Sequence, residues 1–222
     1  MSLISFTDCT SAAIVLGGTL LATVLRCGFG ACLQVLHALK STLAPRFDAS
    51  QLQSRLAQQV QDIQRNGMIR ANPLHFGDRE FDEATDALIG HRSLNALLDA
   101  HAAHQARRGA LALMAVNTLA QAAELAPVFG LAGTLISLGK LPQDGLDRGS
   151  YMAAIAMAVH STLYGLMLAN LVLAPLARLV ERHARREEAE RQRLVDWLAN
   201  ALTPRAQEPA ATHTAERLRG AA

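Results

Sequence analysis

Residues 149–177 read GSYMAAIAMAVHSTLYGLMLANLVLAPLA and contain no Asp, Glu, Lys or Arg, although Arg148 precedes this stretch and Arg178 follows it. About 20 predominantly apolar residues in a helix are enough to cross the hydrocarbon core of a bilayer. A helix on the surface of a soluble protein would need a polar face, and this stretch has none. It therefore predicts a membrane-spanning helix.

Two further stretches have the same character. Residues 9–39 contain one charged residue, Arg26, and residues 109–139 also contain one, Glu124. The mean hydropathy of +0.15 is therefore an average over a very uneven chain. The first stretch does not have the form of a cleavable signal peptide, because it lacks a basic leading region and is too long. We predict an all-α integral membrane protein with three transmembrane helices and a helical cytoplasmic domain.

The positions of the basic residues predict how the chain is oriented. Residues 1–8 contain no Lys or Arg, whereas residues 40–108 are rich in Arg, and the segment after residue 177 begins with four arginines in close succession. Cytoplasmic segments next to membrane helices carry an excess of Lys and Arg. We therefore expect a multi-pass protein of the bacterial inner membrane, with a periplasmic N-terminus and a cytoplasmic C-terminus.

Several other classes of function have no support in the sequence. A formal net charge of +2 gives no indication of nucleic-acid binding. We find no nucleophile elbow, phosphate-binding loop or HExxH motif, so the sequence predicts no enzyme, cofactor or metal site. The three cysteines, Cys9, Cys27 and Cys32, lack the spacing of zinc ligands and favour an interpretation as small packing residues.

The cytoplasmic block divides at its turn signals. Leu52, Leu56, Val60 and Ile63 form an apolar ladder that predicts a helix ending near Gly67. An acidic run in residues 78–86 predicts the start of a second helix, because negative charge stabilises a helix N-terminus. A third helical pattern leads from residue 90 towards the membrane.

We predict five segments from these patterns. They are an N-terminal transmembrane helix in residues 1–40, a cytoplasmic helical domain in 41–108, a two-helix channel core in 109–177, a cytoplasmic helix in 178–202 and a disordered tail in 203–222. The tail prediction rests on its low apolar content.

Small or neutral polar residues lie in the middle of the last span. They are His160, Ser161, Thr162 and Asn170. Polar groups at bilayer depth tend to face an ion route or the interior of a helix bundle. Ser, Thr and Asn also serve simply to hydrogen-bond neighbouring helices. The residues alone leave both interpretations open.

Ordered motifs in the predicted spans resemble a known family. They are IVLGGTL at residues 14–20, APVFGLAGTL at 126–135, AVHSTLYG at 158–165, and then Asn170 and Pro175. This set resembles the A subunits of flagellar motor stators, MotA and PomA, within the MotA/TolQ/ExbB superfamily. The resemblance covers roughly residues 6–200 and is specific because several motifs occur in order.

The resemblance implies a function and a set of partners. It implies a membrane subunit that conducts H⁺ or Na⁺ and couples the ion gradient to flagellar rotation or similar mechanical work. It also implies a homo-oligomer, a pentamer of A subunits, around a MotB-like B subunit that supplies a membrane Asp. The last span itself contains no carboxylate. No cofactor is expected apart from the transported ion. The flagellar rotor is the implied partner on which the complex exerts force.

The resemblance also assigns roles to residues of this chain. It makes Thr134, Ser161 and Thr162 ion-pathway candidates, and His160 joins them because of its polar position in the middle of the span. The coupling prolines are Pro127 and Pro175, and the helix-packing residues are Gly130, Gly133, Gly165 and Asn170. Thr134 favours Na⁺ by analogy with sodium-driven relatives, whereas His160 is a titratable group that can serve protons or simply hydrogen-bond across helices.

The sequence departs from the family pattern in two places. Stator A subunits have four membrane helices, and the helix that precedes residues 14–20 has no counterpart here. Where the family has an Arg and a Glu for rotor contact, this chain has Gln64 and Asn72, with Arg65 and Arg70 nearby as possible contacts. Three alternatives therefore stay open: an ExbB/TolQ-type energiser, a non-conducting structural paralogue, and a truncated or mis-started reading frame.

Overall fold

The computed structural model describes residues 9–43, 49–66, 78–91, 93–139 and 148–202. Seven α-helices and one π-helical segment occur there: α1 (Cys9–Cys27), α2 (Phe29–Leu43), α3 (Ala49–Asn66), α4 (Arg79–His91), α5 (Leu94–Gly139), α6 (Arg148–Met167), the π segment (Leu168–Leu173) and α7 (Ala174–Leu202). No strand occurs in this part of the chain. The predicted all-α fold is confirmed.

Three helical stretches are long and apolar enough to cross a membrane. They are Thr10–Cys27, Leu94–Gly139 and Tyr151–Leu202. Large apolar side chains on these helices point outward, and Leu20, Leu25 and Leu135 are 66%, 78% and 71% exposed. Water would disfavour so much apolar surface, whereas lipid would not. The protein is therefore a multi-pass membrane protein, as the three stretches with at most one charged residue predict.

The structure divides the first apolar stretch, residues 9–39, into two helices at Gly28. We expected one continuous helix over residues 9–39. Gly28 has a φ of +85°, and its N–H donates to the Val24 carbonyl at 2.9 Å. Glycine adopts this left-handed conformation at little cost and commonly ends a helix. The chain then resumes helical geometry at Phe29, so α1 has 19 residues, close to the length of one bilayer crossing.

The predicted last span consists of α6, the π segment and the first turn of α7. At the end of the π segment the N–H of Ala174 donates to the carbonyl of Ala169, five residues back. Pro175 follows directly. Because Pro175 has no N–H and its ring crowds the Leu171 carbonyl, regular α-helical bonding is disfavoured there, and the wider turn accommodates the proline.

The described chain forms two compact units. The first comprises Met1–Phe47 and Gln105–Glu188. Within it α1 packs against α6. A buried cluster of Ala115, Leu119, Ala177 and Val180 joins α5 to α7, and apolar residues of α2 pack against it. This unit contains the predicted spans and the candidate site.

The second unit comprises Asp48–His104 and Ala189–Ala222. The α3 ladder residues Leu52, Leu56 and Val60 are buried, as predicted. Asp78 precedes α4 and caps it, because its Oδ1 accepts hydrogen bonds from the N–H groups of Glu80 and Phe81 at 3.0 and 3.4 Å. The predicted helix end at Gly67 and the predicted disordered tail in 203–222 lie outside the described residues.

Candidate functional site

Three glycines bring α5 and α6 into close contact. A Cβ on Gly165 would lie 2.7 Å from the Ala126 carbonyl oxygen and 3.0 Å from the Gly130 Cα. A Cβ on Gly133 would lie 2.7 Å from the Ser161 Cβ. These distances are too short for real side chains, so only glycine permits this crossing. Small residues commonly let membrane helices approach in this way. Sequence reasoning named Gly130, Gly133 and Gly165 as packing residues, and the structure brings them together.

Ser161 lies at the centre of this crossing and is fully buried. Its hydroxyl is 3.1 Å from the Gly130 carbonyl oxygen across the interface and 2.9 Å from the Ala158 carbonyl oxygen on its own helix. The single hydroxyl proton is therefore shared between two acceptors, one on each helix. This geometry ties α5 to α6, and a role for Ser161 in the ion pathway stays a prediction.

The two threonines of the predicted pathway are more accessible than Ser161. The Thr134 hydroxyl donates to the Leu131 carbonyl at 2.6 Å, and the Thr162 hydroxyl donates to the Ala158 carbonyl at 3.4 Å. Both side chains are partly exposed. Each hydroxyl oxygen still has lone pairs that can accept a hydrogen bond or coordinate a cation.

His160 and Tyr164 stack on α6, one turn apart. Their ring centroids are 6.2 Å apart and the ring planes differ by 27°. Successive residues of a helix point about 100° apart, so His160 lies on a different face from Ser161. Asn170 lies in the π segment, where its side-chain amide donates to the Leu166 carbonyl at 3.0 Å. Asn170 is exposed and does not belong to the glycine crossing.

The two predicted coupling prolines have different surroundings. Pro127 lies inside α5, which continues through it, and it has no N–H for the carbonyl of Ala123. Pro175 lies in the first turn of α7, directly after the π segment. Each proline therefore interrupts the hydrogen-bonding pattern of a predicted membrane helix. The interruption at Pro127 lies next to the glycine crossing.

Helix α1 contributes contacts that sequence reasoning missed. Gly18 abuts the ring of Phe129 on α5, leaving no room for a side chain. The Cys27 thiol donates to the Gln121 side-chain oxygen at 3.3 Å. The Ser11 hydroxyl is 3.5 Å from the Met157 carbonyl oxygen on α6. Thus α1 is fixed against both helices of the predicted channel core.

One face of α1 also forms a buried stripe of three polar residues and one valine. Ser11, Val15, Thr19 and Thr23 recur every four residues, and all are buried. The Thr23 hydroxyl donates to the Thr19 carbonyl at 2.7 Å, but the buried Thr19 hydroxyl has no hydrogen-bond partner among the described residues. The four-residue spacing is the signal that could have identified this face from the sequence.

The predicted rotor contacts are two arginines of the cytoplasmic segment. Arg65 lies in α3, but its side chain is outside the described part of the chain, as is Arg70. Within the described part, no cluster of His, Cys, Asp and Glu is suited to hold a metal ion.

The chemistry of the α5–α6 site is that of neutral oxygen ligands. The site offers hydroxyls and backbone carbonyls, with the His160 imidazole on the neighbouring face of α6. Residues 109–139 and 149–177 contain one carboxylate between them, that of Glu124, which is exposed on α5. Such a site can help to coordinate a dehydrated cation, but it lacks a carboxylate within the crossing.

Relatives of this chain include motility proteins. It is 24% identical to "Motility protein A" of Cereibacter sphaeroides over 202 residues, which cover 87% of this chain and 77% of that protein. It is 23% identical to "Chemotaxis protein PomA" of Vibrio alginolyticus over 199 residues, which cover 86% of this chain and 76% of that protein.

Solved structures share the fold. A chain of the flagellar MotAB stator complex from Bacillus subtilis superimposes with a TM-score of 0.79 at 16% identity, covering 100% of this chain and 91% of that chain. A chain of C. jejuni MotAB superimposes with a TM-score of 0.74 at 14% identity, covering 92% of this chain and 83% of that chain.

The sequence match to a family covers more than half of the chain. A sequence model of the MotA/TolQ/ExbB proton channel family matches residues 75–193. These residues include the glycine crossing, both prolines and the candidate pathway threonines. The resemblance predicted from the motifs is thereby confirmed, and the chain belongs to the MotA/TolQ/ExbB proton channel family.

Proposed function

We propose that this protein is the ion-conducting A-type subunit of a flagellar motor stator, which converts the flow of H⁺ or Na⁺ across the inner membrane into rotation. The relatives that align with most of the chain are named for motility and chemotaxis, and the matching structures are flagellar stator complexes. An ExbB/TolQ-type energiser is therefore not favoured.

One observation carries the proposal. The α5–α6 crossing is closed by glycine contacts, while the Thr134 and Thr162 hydroxyls remain partly exposed at its edges. A tight crossing gives the two helices a fixed register, and the exposed hydroxyls provide oxygen ligands on the resulting surface. In a membrane, polar groups in this position favour an ion route.

The missing carboxylate defines the proposed partner. An ion that has lost its water at mid-bilayer needs an anionic or oxygen-rich site, and the crossing supplies oxygen without charge. We infer that a MotB-like B subunit supplies an Asp on its own membrane helix, with several copies of this chain surrounding it. A pentamer is the proposed stoichiometry.

A motility complementation assay tests this function. The chain should restore motility to cells that lack their stator when it is expressed with its B-type subunit. A partner whose membrane Asp is replaced by Asn should give no swimming, because the charged site is lost while its size is kept. Swimming with the Asn variant would contradict the proposal. If swimming is absent with both partners although the complex assembles, the non-conducting paralogue gains support.

We also propose that the N-terminus is periplasmic and that the second unit is cytoplasmic. The charge asymmetry supports this orientation. A cysteine at Gln143, which lies between α5 and α6 in the sequence, should react with an impermeant reagent from outside, in a chain whose native cysteines are replaced. A cysteine at Asp86, which is exposed on α4, should react only after the cells are opened. The reverse pattern would invert the orientation.

A further inference from the structure

Two exposed stripes run along the α5–α6 pair, one on each helix. On α5, four exposed residues recur at helical spacing and form the α5 stripe: Glu124, Val128, Leu131 and Leu135. On α6 and the π segment after it, four exposed residues form the α6 stripe: Val159, Leu163, Leu166 and Asn170. Each stripe thus combines three apolar side chains with one polar side chain at its end.

The α5 stripe lies on the side of α5 that faces away from α6. Ala122 and Ala126 are buried, and the Ala126 carbonyl oxygen meets Gly165 of α6. Glu124 is two residues from each of these alanines, and two residues turn a helix by about 200°. The Glu124 side chain therefore points away from α6.

The α6 stripe likewise lies on the side of α6 that faces away from α5. Ser161 meets Gly133, and Gly165 meets Gly130, across the crossing. Leu163 is two residues from Ser161 and two from Gly165, so it points to the opposite side of the helix. The two stripes therefore lie on the two outer sides of the helix pair and cannot meet within one chain.

The stripes match each other in depth. The contact of Ser161 with Gly133 sets the level of α6 against α5, and the two helices are antiparallel. Counting along each helix from this contact places Glu124 level with Asn170, to within about 1.5 Å, which is the rise of one residue. The apolar members match in the same order, Val128 with Leu166, Leu131 with Leu163, and Leu135 with Val159.

The polar ends of the stripes are complementary. The Glu124 carboxylate has no hydrogen-bond or ion-pair partner in the described part of the chain, and an exposed carboxylate on a membrane helix is costly in lipid. The Asn170 amide donates one N–H to the Leu166 carbonyl at 3.0 Å. Its second N–H is available to a carboxylate, because a side-chain amide has two N–H donors.

We propose that the α5 stripe of one copy of this chain packs against the α6 stripe of the next copy, with the Glu124 carboxylate accepting a hydrogen bond from Asn170 of that neighbour. Because the two stripes are different surfaces, repetition of this contact generates a ring. Packing and hydrogen bonds of this kind drive helix association in lipid. Thr134 and Thr162 lie outside both stripes, so the contact leaves their hydroxyls uncovered. This inference rests on the homo-oligomer of the proposed function and names the surface that forms it.

Disulfide cross-linking in membranes tests the pairing. Two differently tagged chains without native cysteines, one with Glu124→Cys and the other with Asn170→Cys, are expressed together with the B-type subunit. Oxidation should give a disulfide-linked dimer that carries both tags. Leu171→Cys in place of Asn170→Cys is the control, because Leu171 is exposed at nearly the same depth but points to another side of the helix. Equal yields with Asn170→Cys and Leu171→Cys would overturn the proposal.

The size of the complex separates this inference from the proposed function. If the complex contains several copies by light scattering but the two tagged chains do not cross-link, the stripe contact is wrong and the homo-oligomer stands. If the chain is monomeric, both are wrong. A cross-link from Glu124→Cys to a cysteine on the membrane helix of the B-type subunit, in place of the second copy, would assign the α5 stripe to that subunit and overturn the proposal.

A charge exchange tests the hydrogen bond itself. Asn170→Glu places two carboxylates against each other and should raise the concentration at which the oligomer dissociates in detergent by at least about tenfold. Adding Glu124→Gln to Asn170→Glu should restore assembly, because an amide again meets a carboxylate. Equal weakening by Asn170→Glu with and without Glu124→Gln would overturn the pairing of these two residues.

Discussion

The hydroxyl of Ser161 on α6 lies 3.1 Å from the carbonyl oxygen of Gly130 on α5, in hydrogen-bond geometry. This contact exists because Gly130 and Gly133 have no side chains to separate the helices. Van der Waals packing and such hydrogen bonds drive helix association in lipid, where apolar helices gain little from burial. The register of the channel core therefore depends on this crossing.

The glycine crossing predicts the effect of a single methyl group. Gly165→Ala should destabilise the protein by about 1–3 kcal/mol, because the new Cβ meets backbone atoms of Ala126 and Gly130, which cannot move aside easily. Gly109→Ala is the control, since a Cβ there meets nothing within 4 Å, and it should be neutral or slightly stabilising. Thermal unfolding in detergent measures both. Equal melting temperatures for Gly165→Ala and Gly109→Ala would contradict the close approach.

We expect that replacing Thr19, whose hydroxyl is buried, stabilises the protein. Thr19→Val keeps the shape and removes a buried polar group without a partner among the described residues. It should stabilise the protein by about 1 kcal/mol. Thr23→Val, which removes a bonded hydroxyl on the same face, should be neutral or destabilising by up to about 1 kcal/mol. If both substitutions destabilise equally in the same unfolding assay, the Thr19 hydroxyl has a partner beyond the described chain, such as an ion or water.

Arg191 on α7 holds the start of α4 in the second unit. Its guanidinium binds Asp78 at 2.8 Å and Glu80 at 3.5 Å, and lies 5.7 Å from the centre of the Phe81 ring. Arg191→Gln should cost about 3 kcal/mol, because it leaves two partly buried carboxylates without their counter-charge. Hydrogen exchange in α4 should then accelerate.

Arg193→Gln serves as the control for this effect. Arg193 is exposed on the same helix, and its replacement should change the stability by less than about 0.5 kcal/mol. Unchanged exchange in the Arg191→Gln variant would show that α4 is held by its apolar contacts alone.

We expect that removing the hydroxyls of Thr134 and Thr162 lowers conduction but leaves assembly of the complex intact. Combined Thr134→Ala and Thr162→Ala should lower ion-driven swimming several-fold in cells that express the partner, because two oxygen ligands disappear with little change in volume. Thr118→Ala also removes a hydroxyl bonded to its own helix, at 2.8 Å from the Met114 carbonyl, and should leave swimming unchanged. Wild-type swimming by the double variant would leave these threonines a packing role only.

The sequence predicted the regular helices well, for identifiable reasons. Stretches with at most one charged residue predicted α6 and the second part of α5, because lipid disfavours charge on a helix over a whole bilayer thickness. The ladder of Leu52, Leu56 and Val60 placed α3, because apolar residues at helical spacing must be buried on one face. Acidic residues placed the start of α4, where Asp78 accepts hydrogen bonds from backbone N–H groups.

The irregular features could not be predicted in the same way. The first span contains Gly17, Gly18, Gly28 and Gly30, and of these the structure gives a positive φ to Gly28. Nothing local distinguishes Gly28, because each glycine is permissive and the choice depends on packing. Likewise, Ser161 and Thr162 are adjacent hydroxyl residues, and the rotation of α6 against α5 determines which one is buried. The stripe through Thr19 was detectable by spacing but contained too few polar residues to stand out.

Gradient-driven flux in liposomes tests the central claim most directly. The purified chain alone should form an oligomer but conduct no H⁺ or Na⁺, because the α5–α6 crossing offers oxygen ligands without a carboxylate. Flux should appear when the complex with its B-type subunit is reconstituted, and it should vanish when the membrane Asp of that subunit is replaced by Asn. Robust conduction by the chain alone would contradict the account and point to His160 or Glu124 as the titrating group.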